Sequence, residues 1–154
     1  MPKQETPSDA IISAWIGLHR AQRVALAVVE RRLKQAGLPP LAWYDVLWEL
    51  ERAGKAGLRP FALENALLLE QHNLSRLLDR LEARGLVERR RCESDGRGQL
   101  VVATPAGQAL RREIWPVYRV AIQEAVGAQL SDADAGRLAE LLAPLGRQGS
   151  ATTS

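Results

Sequence analysis

The sequence predicts a mainly α-helical protein with one small β-hairpin, and three observations lead to this fold class. Leucines recur at steps of three and four along residues 74–81, the spacing of one helical face. Gly85 then stands where a helix commonly ends in a left-handed residue. Residues 86–93 and 99–103 flank a turn with two glycines, as the strands of a hairpin do. This order is that of a winged helix-turn-helix, whose second helix enters the DNA major groove.

A long amphipathic helix is predicted over residues 9–36, after a polar arm of residues 1–8. A stripe this long needs a partner surface, because its apolar side chains would otherwise face water. We therefore expect the stripe to pair with a second subunit. Its members are Ile12, Trp15, Leu18, Leu26, Val29 and Leu33.

The helix-turn-helix itself is predicted from two shorter helices that follow a helix at residues 42–53. The first begins near Pro60 and the second, the reading helix, near Gln71. Leu58 and Arg59 are candidates for a short third strand beside the hairpin.

Two further helices are expected after the hairpin. Thr104 and Pro105 suit the N-cap and first position of a helix that runs to about residue 129. Pro116 lies within this helix and is expected to kink it. Ser131 caps the last helix. We expect its buried side to carry Leu138, Leu141, Leu142 and Leu145.

These elements suggest one domain organised around a central lobe. The predicted parts are a flexible arm at residues 1–8, a dimerisation helix at 9–36, a winged helix-turn-helix lobe at 37–104, dimerisation helices at 105–145 and a disordered tail at 146–154. The length of 154 residues and the hydrophobic content of 46% suit a single domain with a real core. One cysteine excludes an internal disulfide framework, and the chain shows no signal peptide or membrane-length apolar run, so we expect a cytoplasmic protein.

Arginine is concentrated in the part of the chain that would meet DNA. The net charge of +3 is mild, but its distribution is the local pattern that phosphate binding needs. The alternative is a solvated basic strand whose charge is balanced by nearby carboxylates. The clustered cations are Arg84, Arg89, Arg90, Arg91 and Arg97, and the carboxylates are Glu88, Glu93 and Asp95.

Four segments, in order, resemble the multiple-antibiotic-resistance regulator (MarR) family. Residues 78–90, LDRLEARGLVERR, are similar to its helix-to-wing signature, and Asp95-x-Arg97 is similar to its wing-tip motif. Residues 103–107, ATPAG, resemble the start of its long fifth helix. Residues 41–47, LAWYDVL, resemble the pattern that opens its second helix. Together the four segments imply a likeness over roughly residues 10–145.

The resemblance implies a DNA-binding transcriptional regulator, most often a repressor, that binds a pseudo-palindromic duplex as a homodimer. Asparagine and glutamine can bond adenine edges, and arginine can bond guanine. In the family, the arginine that matches Arg97 reaches the minor groove while the residue at Asp95 orients it; the alternative is a simple turn contact between them. The DNA-contact candidates are Gln71, His72, Asn73, Ser75, Arg76, Arg80, Arg84, Arg89, Arg91, Asp95 and Arg97.

A small aromatic or anionic effector is the only small molecule expected. Trp15, Asp45, Arg76 and Arg89 resemble the tryptophan, aspartate and two arginines of the family's urate-responsive subgroup. An indole that stacks on a planar acid and an arginine that pairs with it would form such a site. The alternative is that Trp15 belongs to a dimer core and Asp45 pairs with a neighbouring arginine.

Other function classes find little support in the sequence. No metal-ligand spacing, nucleophile elbow, phosphate loop or dinucleotide fingerprint is present, so no enzyme, metal or cofactor is expected. Cys92 lies on the predicted hairpin, away from the first helix where redox-sensing relatives carry their cysteine. A protein-interaction module remains open, because a fold does not dictate its function. A small-molecule enzyme built around a dimer pocket is the third class.

Overall fold

The computed structural model describes residues 5–91 and 98–147 and confirms a mainly α-helical fold with a two-stranded antiparallel sheet. The elements are α1 Asp9–Gln35, α2 Leu41–Ala53, α3 Pro60–Ala66, α4 Leu74–Ala83, β1 Val87–Arg91, β2 Gln99–Ala103, α5 Pro105–Ile122 and α6 Asp132–Gly146. A 3-10 turn, Gly54–Ala56, follows α2, and a π-helical segment, Gln123–Gly127, follows α5.

The described chain forms two compact units. One spans residues 30–119 and holds α2 to β2 with most of α5. The other combines the described residues of segments 1–29 and 120–154. The predictions for Cys92, Glu93, Asp95 and Arg97 concern residues outside the described ranges, as do those for residues 1–4 and 148–154.

The core of the 30–119 unit is built around α4. All four leucines that the helical spacing assigned to its inner face are buried. Because each buried leucine contributes about 1.5–3 kcal/mol by leaving water, this face fixes the rotation of α4 about its own axis. The cluster comprises Val46, Leu47, Leu50, Leu63, Leu74, Leu77, Leu78, Leu81, Leu86, Val87 and Val101.

The two strands pair in the predicted hairpin, from Val87 opposite Ala103 to Arg91 opposite Gln99. The expected third strand is a single bridge. Leu58 donates to the Val101 carbonyl at 3.0 Å and accepts from the Val101 N–H at 2.8 Å. Only one residue pairs, so Leu58 anchors the loop after α2 to the hairpin without extending the sheet.

The N-terminus of α5 explains the ATPAG segment. The Thr104 hydroxyl donates to the Gly85 carbonyl at 2.6 Å and accepts from the Gly107 N–H at 3.1 Å, which confirms Thr104 as the N-cap. A Cβ atom on Gly107 would overlap the backbone carbonyl oxygen of Leu86. Glycine is therefore required where the first turn of α5 meets the segment between α4 and β1.

Two helix starts differ from the sequence-based expectation. The reading helix, α4, begins at Leu74 and not at Gln71, because Asn73 acts as its N-cap. Helix α2 begins at Leu41, whose N–H donates to the Glu30 carboxylate at 2.9 Å. In both cases a side chain that sequence spacing does not reveal satisfies a free N–H at the helix start.

In the last two helices the predicted cap of α6 is confirmed, whereas α5 ends earlier than expected. Ser131 accepts from the Asp134 N–H at 3.2 Å, as expected for the N-cap of α6. Helix α5 continues through Pro116 and ends at Ile122, where the chain passes into the π-helical segment. It was expected to run as one helix to about residue 129.

The unit formed from segments 1–29 and 120–154 exposes many large apolar side chains. Leu138, Leu141 and Leu145 were expected to be buried, yet each is more than 40% exposed. Nothing in the described part of a single chain covers them, which fits a surface that requires a second subunit. The other large apolar side chains exposed in this unit are Ile11, Ile12, Trp15, Ile16, Leu18, Val24, Val120, Ile122 and Val126.

In the described ranges no helix has an apolar stretch long enough to cross a membrane.

Candidate nucleic-acid interface

The outer face of α4 and the residues before it are exposed and polar. Leucines hold the inner face in the core, so the side chains between them point away from it. Gln71 is half-buried, and the other predicted readers here are exposed. The structure thus brings together, on and just before one helix, the exposed His72, Asn73, Ser75, Arg76, Arg80 and Arg84.

Asn73 has a structural role beside its predicted reading role. Its side-chain oxygen accepts from the Arg76 N–H at 3.2 Å, which satisfies one of the free donors at the start of α4. Gln71 and His72 therefore precede the helix. Sequence reasoning placed all three within the helix because it could not tell which polar residue caps it.

We expect Asn73→Ala to lower the free energy of unfolding by about 1 kcal/mol, because alanine removes the cap. Asn73→Ser should keep that stability, since serine caps a helix about as well as asparagine. Both changes remove the amide and should alter sequence preference in DNA binding. Urea unfolding of both variants, with duplex binding measured in parallel, separates the two roles. Equal stability of the two variants would contradict the cap assignment.

Two grooves flank the N-terminus of α4. The hairpin-side groove, of about 460 Å³, lies between α3, α4 and the hairpin. The α2-side groove, of about 390 Å³, is lined by the start of α2, residues 70–73 and the outer face of α4. Residues 71–73 line both grooves. Arg89 lines the hairpin-side groove and Arg76 the α2-side groove, so two predicted ligand residues lie in different grooves.

Arg89 on β1 is directed at α4. Its Nη1 lies 2.7 Å from the Asp79 carboxylate, and its Nη2 donates to the Ser75 carbonyl at 3.3 Å. The Glu82 carboxylate is 3.8 Å from the same guanidinium and also accepts from the Arg89 backbone N–H. The side chain is 22% exposed. Its contacts fasten the reading helix to the hairpin.

The other hairpin and helix-end cations are more exposed. Arg90 pairs with Glu88 at 3.2 Å, and both side chains are more than half exposed. Arg91 is exposed at the end of β1. The Arg84 guanidinium lies over the Trp43 ring, 5.6 Å from its centroid, at the end of α4. Arg91 therefore remains a better candidate than Arg89 for a direct phosphate contact.

Asp45 is buried in α2, and the helix-turn-helix turn supplies its hydrogen-bond donors. Its two carboxylate oxygens accept from the backbone N–H groups of Leu68 at 3.0 Å and Leu69 at 2.7 Å. An ion pair between Asp45 and an arginine was the alternative expected from the sequence. The turn supplies two backbone N–H donors instead, and each Asp45 oxygen accepts one of these groups, which have no partner within α3.

Trp15, the fourth predicted ligand residue, lies in the other unit. Its side chain is 63% exposed, and its ring meets His19 edge-on at 4.3 Å between centroids. Trp15 and His19 are four residues apart on α1, and side chains at this spacing are neighbours on a helix surface.

An aromatic cluster between α2 and α5 was not expected from the sequence. Tyr44 lies 5.0 Å from Tyr118 and 6.2 Å from Trp115 between ring centroids. Burial, with Tyr44 and Asp45 nearby, raises the pKa of the Tyr118 phenol above its ordinary value. The spacing of Tyr44 and Trp48, four residues apart on α2, is the sequence pattern that could have indicated the α2 side of this cluster. The cluster packs α2, and with it Asp45, against α5.

An ion pair adds a second link between these helices. Arg111 pairs with Glu51 across α5 and α2, and its guanidinium lies 5.0 Å from the Trp48 ring centroid. Both charged side chains are largely shielded from solvent. Within residues 5–91 and 98–147, no group of three His, Cys, Asp or Glu side chains is arranged to hold a metal ion.

Comparisons with known proteins agree with this architecture. Residues 36–98 match the sequence model of the MarR family. AbsC, a MarR family transcriptional regulator from Streptomyces coelicolor, is 26% identical, with 94% of this chain and 97% of AbsC covered and a TM-score of 0.78. Sco3205, a MarR family regulator from the same organism solved in complex with DNA, is 24% identical, with 96% and 92% covered and a TM-score of 0.82.

CouR from Rhodococcus jostii, solved with p-coumaroyl-CoA bound, is 25% identical, with 85% of this chain and 90% of CouR covered and a TM-score of 0.70. The resemblance to the MarR family is thereby confirmed: residues 36–98 fit the family's sequence model, and the described chain has the fold of MarR family transcriptional regulators.

Proposed function

We propose that this protein is a ligand-responsive transcriptional regulator, a repressor, that binds a pseudo-palindromic operator in the cytoplasm. The observation that carries the proposal is the arrangement of α4. Its leucine face is fixed in the core, while its outer face presents amide, hydroxyl and guanidinium groups between two grooves. A helix held in this way can enter the major groove with its donors directed at base edges. Sco3205, which has the same fold, was solved with DNA.

The proposed contacts divide into base reading and backbone contact. Gln71, His72, Asn73, Ser75 and Arg76 stand at or just before the start of α4, where a recognition helix meets bases. Arg80, Arg84 and Arg91 would contact the phosphate backbone, and Arg89 would act chiefly through α4. As the family resemblance implies, Arg97 would reach the minor groove, and Asp95 would orient it.

The same proposal includes a homodimer. The unit formed from segments 1–29 and 120–154 exposes a set of apolar side chains that a monomer would leave in water. A two-fold dimer would place two copies of α4 in successive major grooves, with half-sites about 10 bp apart centre to centre.

A small aromatic or anionic effector is part of the proposal, and no cofactor or catalytic role is. CouR, with a related fold, was solved with p-coumaroyl-CoA. The candidate residues taken from the family resemblance are Trp15, Asp45, Arg76 and Arg89. Because Arg76 and Arg89 line different grooves, an effector held by both would have to span α4, or one of the two lies outside the site.

We expect Arg80→Ala to weaken binding to all duplexes and to reduce the salt dependence by about one counterion, because it removes one exposed cation from the outer face of α4. Arg52→Ala is the matched control, since Arg52 is also exposed but pairs with Glu49 at 3.2 Å on α2 and lines neither groove. The measurement is the slope of log affinity against log salt concentration. An unchanged slope for Arg80→Ala would remove Arg80 from the interface.

Selection from a pool of randomised duplexes tests the function as a whole. The proposal predicts enrichment of a pseudo-palindrome with half-sites about 10 bp apart. Urate and salicylate, added in turn to the selected duplex, then test the effector class by release of the protein. If nothing is enriched and no duplex binds at low salt, the protein-interaction alternative takes precedence.

A further inference from the structure

One large apolar side chain stands among the polar residues of the proposed DNA interface. Phe61, in the first turn of α3, is 74% exposed. It lines the hairpin-side groove together with His72, Asn73 and Ser75. A single exposed apolar side chain is common on protein surfaces. The position of Phe61 in the wall of the hairpin-side groove is what indicates a role in binding.

Leu68 shows that exposure alone does not define the feature. It is 75% exposed and follows the same helix, seven positions after Phe61. Leu68 lines neither the hairpin-side nor the α2-side groove. The two side chains are therefore equally exposed, but only Phe61 lines a groove beside the start of α4.

We propose that Phe61 is a specificity-determining residue that packs against the 5-methyl group of a thymine in the major groove. The proposal rests on the proposed DNA-binding function. The thymine methyl is the one apolar group on a base edge in the major groove, and phenylalanine is one of the side chains that contact it. The amide, imidazole and guanidinium groups nearby can read hydrogen-bonding atoms, and Phe61 adds a large exposed apolar surface to the same groove.

The neighbours of Phe61 in the groove favour a base-pair edge as the group that binds there. The polar side of this groove includes Gln71, His72, Asn73 and Ser75, at and just before the end of α4 that would enter the major groove. Gln99 and Glu64 also line it, and a glutamate can accept from the amino group of cytosine. Arg89 adds a cation to the same wall. A base-pair edge offers the matching mixture of acceptors and one methyl group.

The experiment combines a protein change with the removal of a single methyl group from DNA. Thymines of the selected operator are replaced one at a time by deoxyuridine, symmetrically in both half-sites. Binding of each duplex is measured with the wild-type protein, Phe61→Ala and Leu68→Ala, after thermal unfolding has shown all three to be folded. Loss of one buried methyl group corresponds to roughly a fourfold loss of affinity in each half-site.

The proposal predicts that Phe61→Ala weakens binding at least tenfold and that Leu68→Ala binds as the wild type does. One symmetric deoxyuridine pair should weaken the wild type and Leu68→Ala, and have no effect on Phe61→Ala. Wild-type affinity in Phe61→Ala, or equal deoxyuridine effects in all three proteins, would overturn the proposal. Failure of the wild type to bind any duplex would instead refute the proposed function on which it rests.

Discussion

Asp45→Asn is expected to lower the free energy of unfolding by about 2–3 kcal/mol and to weaken DNA binding at least tenfold. The two Asp45 oxygens accept hydrogen bonds from the backbone N–H groups of Leu68 and Leu69 in the turn before α4. Asparagine offers one oxygen and one NH2 group, so one turn N–H would face another donor. Hydrogen bonds to a charged group contribute about 1.5–3 kcal/mol, and a buried donor left without a partner costs a comparable amount.

Urea unfolding and duplex binding measure the two effects. Glu49→Gln is the control, because it makes the same chemical change one helical turn further along α2, where the carboxylate, 15% exposed, pairs with Arg52, whose side chain is 61% exposed. Ion pairs with a solvent-exposed partner contribute about 0.2–1 kcal/mol. Equal losses of stability in the two variants, or full DNA affinity in Asp45→Asn, would show that the carboxylate does not hold the turn in its binding conformation.

Arg89→Ala is the second change with a large expected effect. We expect it to weaken DNA binding about tenfold and to lower the free energy of unfolding by about 1–2 kcal/mol, with little change in the salt dependence of binding. The guanidinium is occupied by Asp79 and the Ser75 carbonyl, so its loss would loosen α4 against the hairpin. A direct phosphate contact would instead reduce the salt slope by about one.

Two variants separate these roles. Asp79→Asn should reproduce most of the effect of Arg89→Ala, and the double variant should be no worse than either single one, because both remove the same interaction. Arg90→Ala, the neighbouring strand arginine whose pair with Glu88 is exposed, should alter stability by less than about 1 kcal/mol. Additive losses in the double variant, with a reduced salt slope in Arg89→Ala, would assign Arg89 to the DNA backbone.

Several features that depend on residues close together in the chain were predicted from the sequence. The leucine spacing of α4 predicted its buried face, because a helix places those positions on one side. Thr104 and Ser131 were recognised as caps from their residue type and position, and each accepts from an N–H three residues further on. Fold class and the exposed reading face followed from such local patterns.

Contacts between distant residues could not be read in the same way. Asp45 bonds a turn that lies 23 and 24 residues further along, and nothing in the spacing links the two segments. Gly107 was recognised as part of a motif, but its reason is the close approach of the Leu86 carbonyl. Arg89 was assigned to DNA and ligand from its type, whereas its partners are determined by the packing of β1 on α4.

The exposed leucines of α6 show a further limit. Their helical spacing indicated a buried side, and in the described chain that side faces outward. A pattern of apolar residues predicts that a surface will be covered, and does not say whether the cover comes from the same chain or from another.

Fluorescence anisotropy with labelled duplex from the promoter beside the protein's own gene measures operator binding by this protein. Binding is measured at two salt concentrations, against a random duplex of equal length, for the wild type and for Arg80→Ala. We expect tight, salt-sensitive binding that favours the promoter duplex, and a smaller salt slope for Arg80→Ala. Absence of binding to either duplex at low salt would contradict the proposed function.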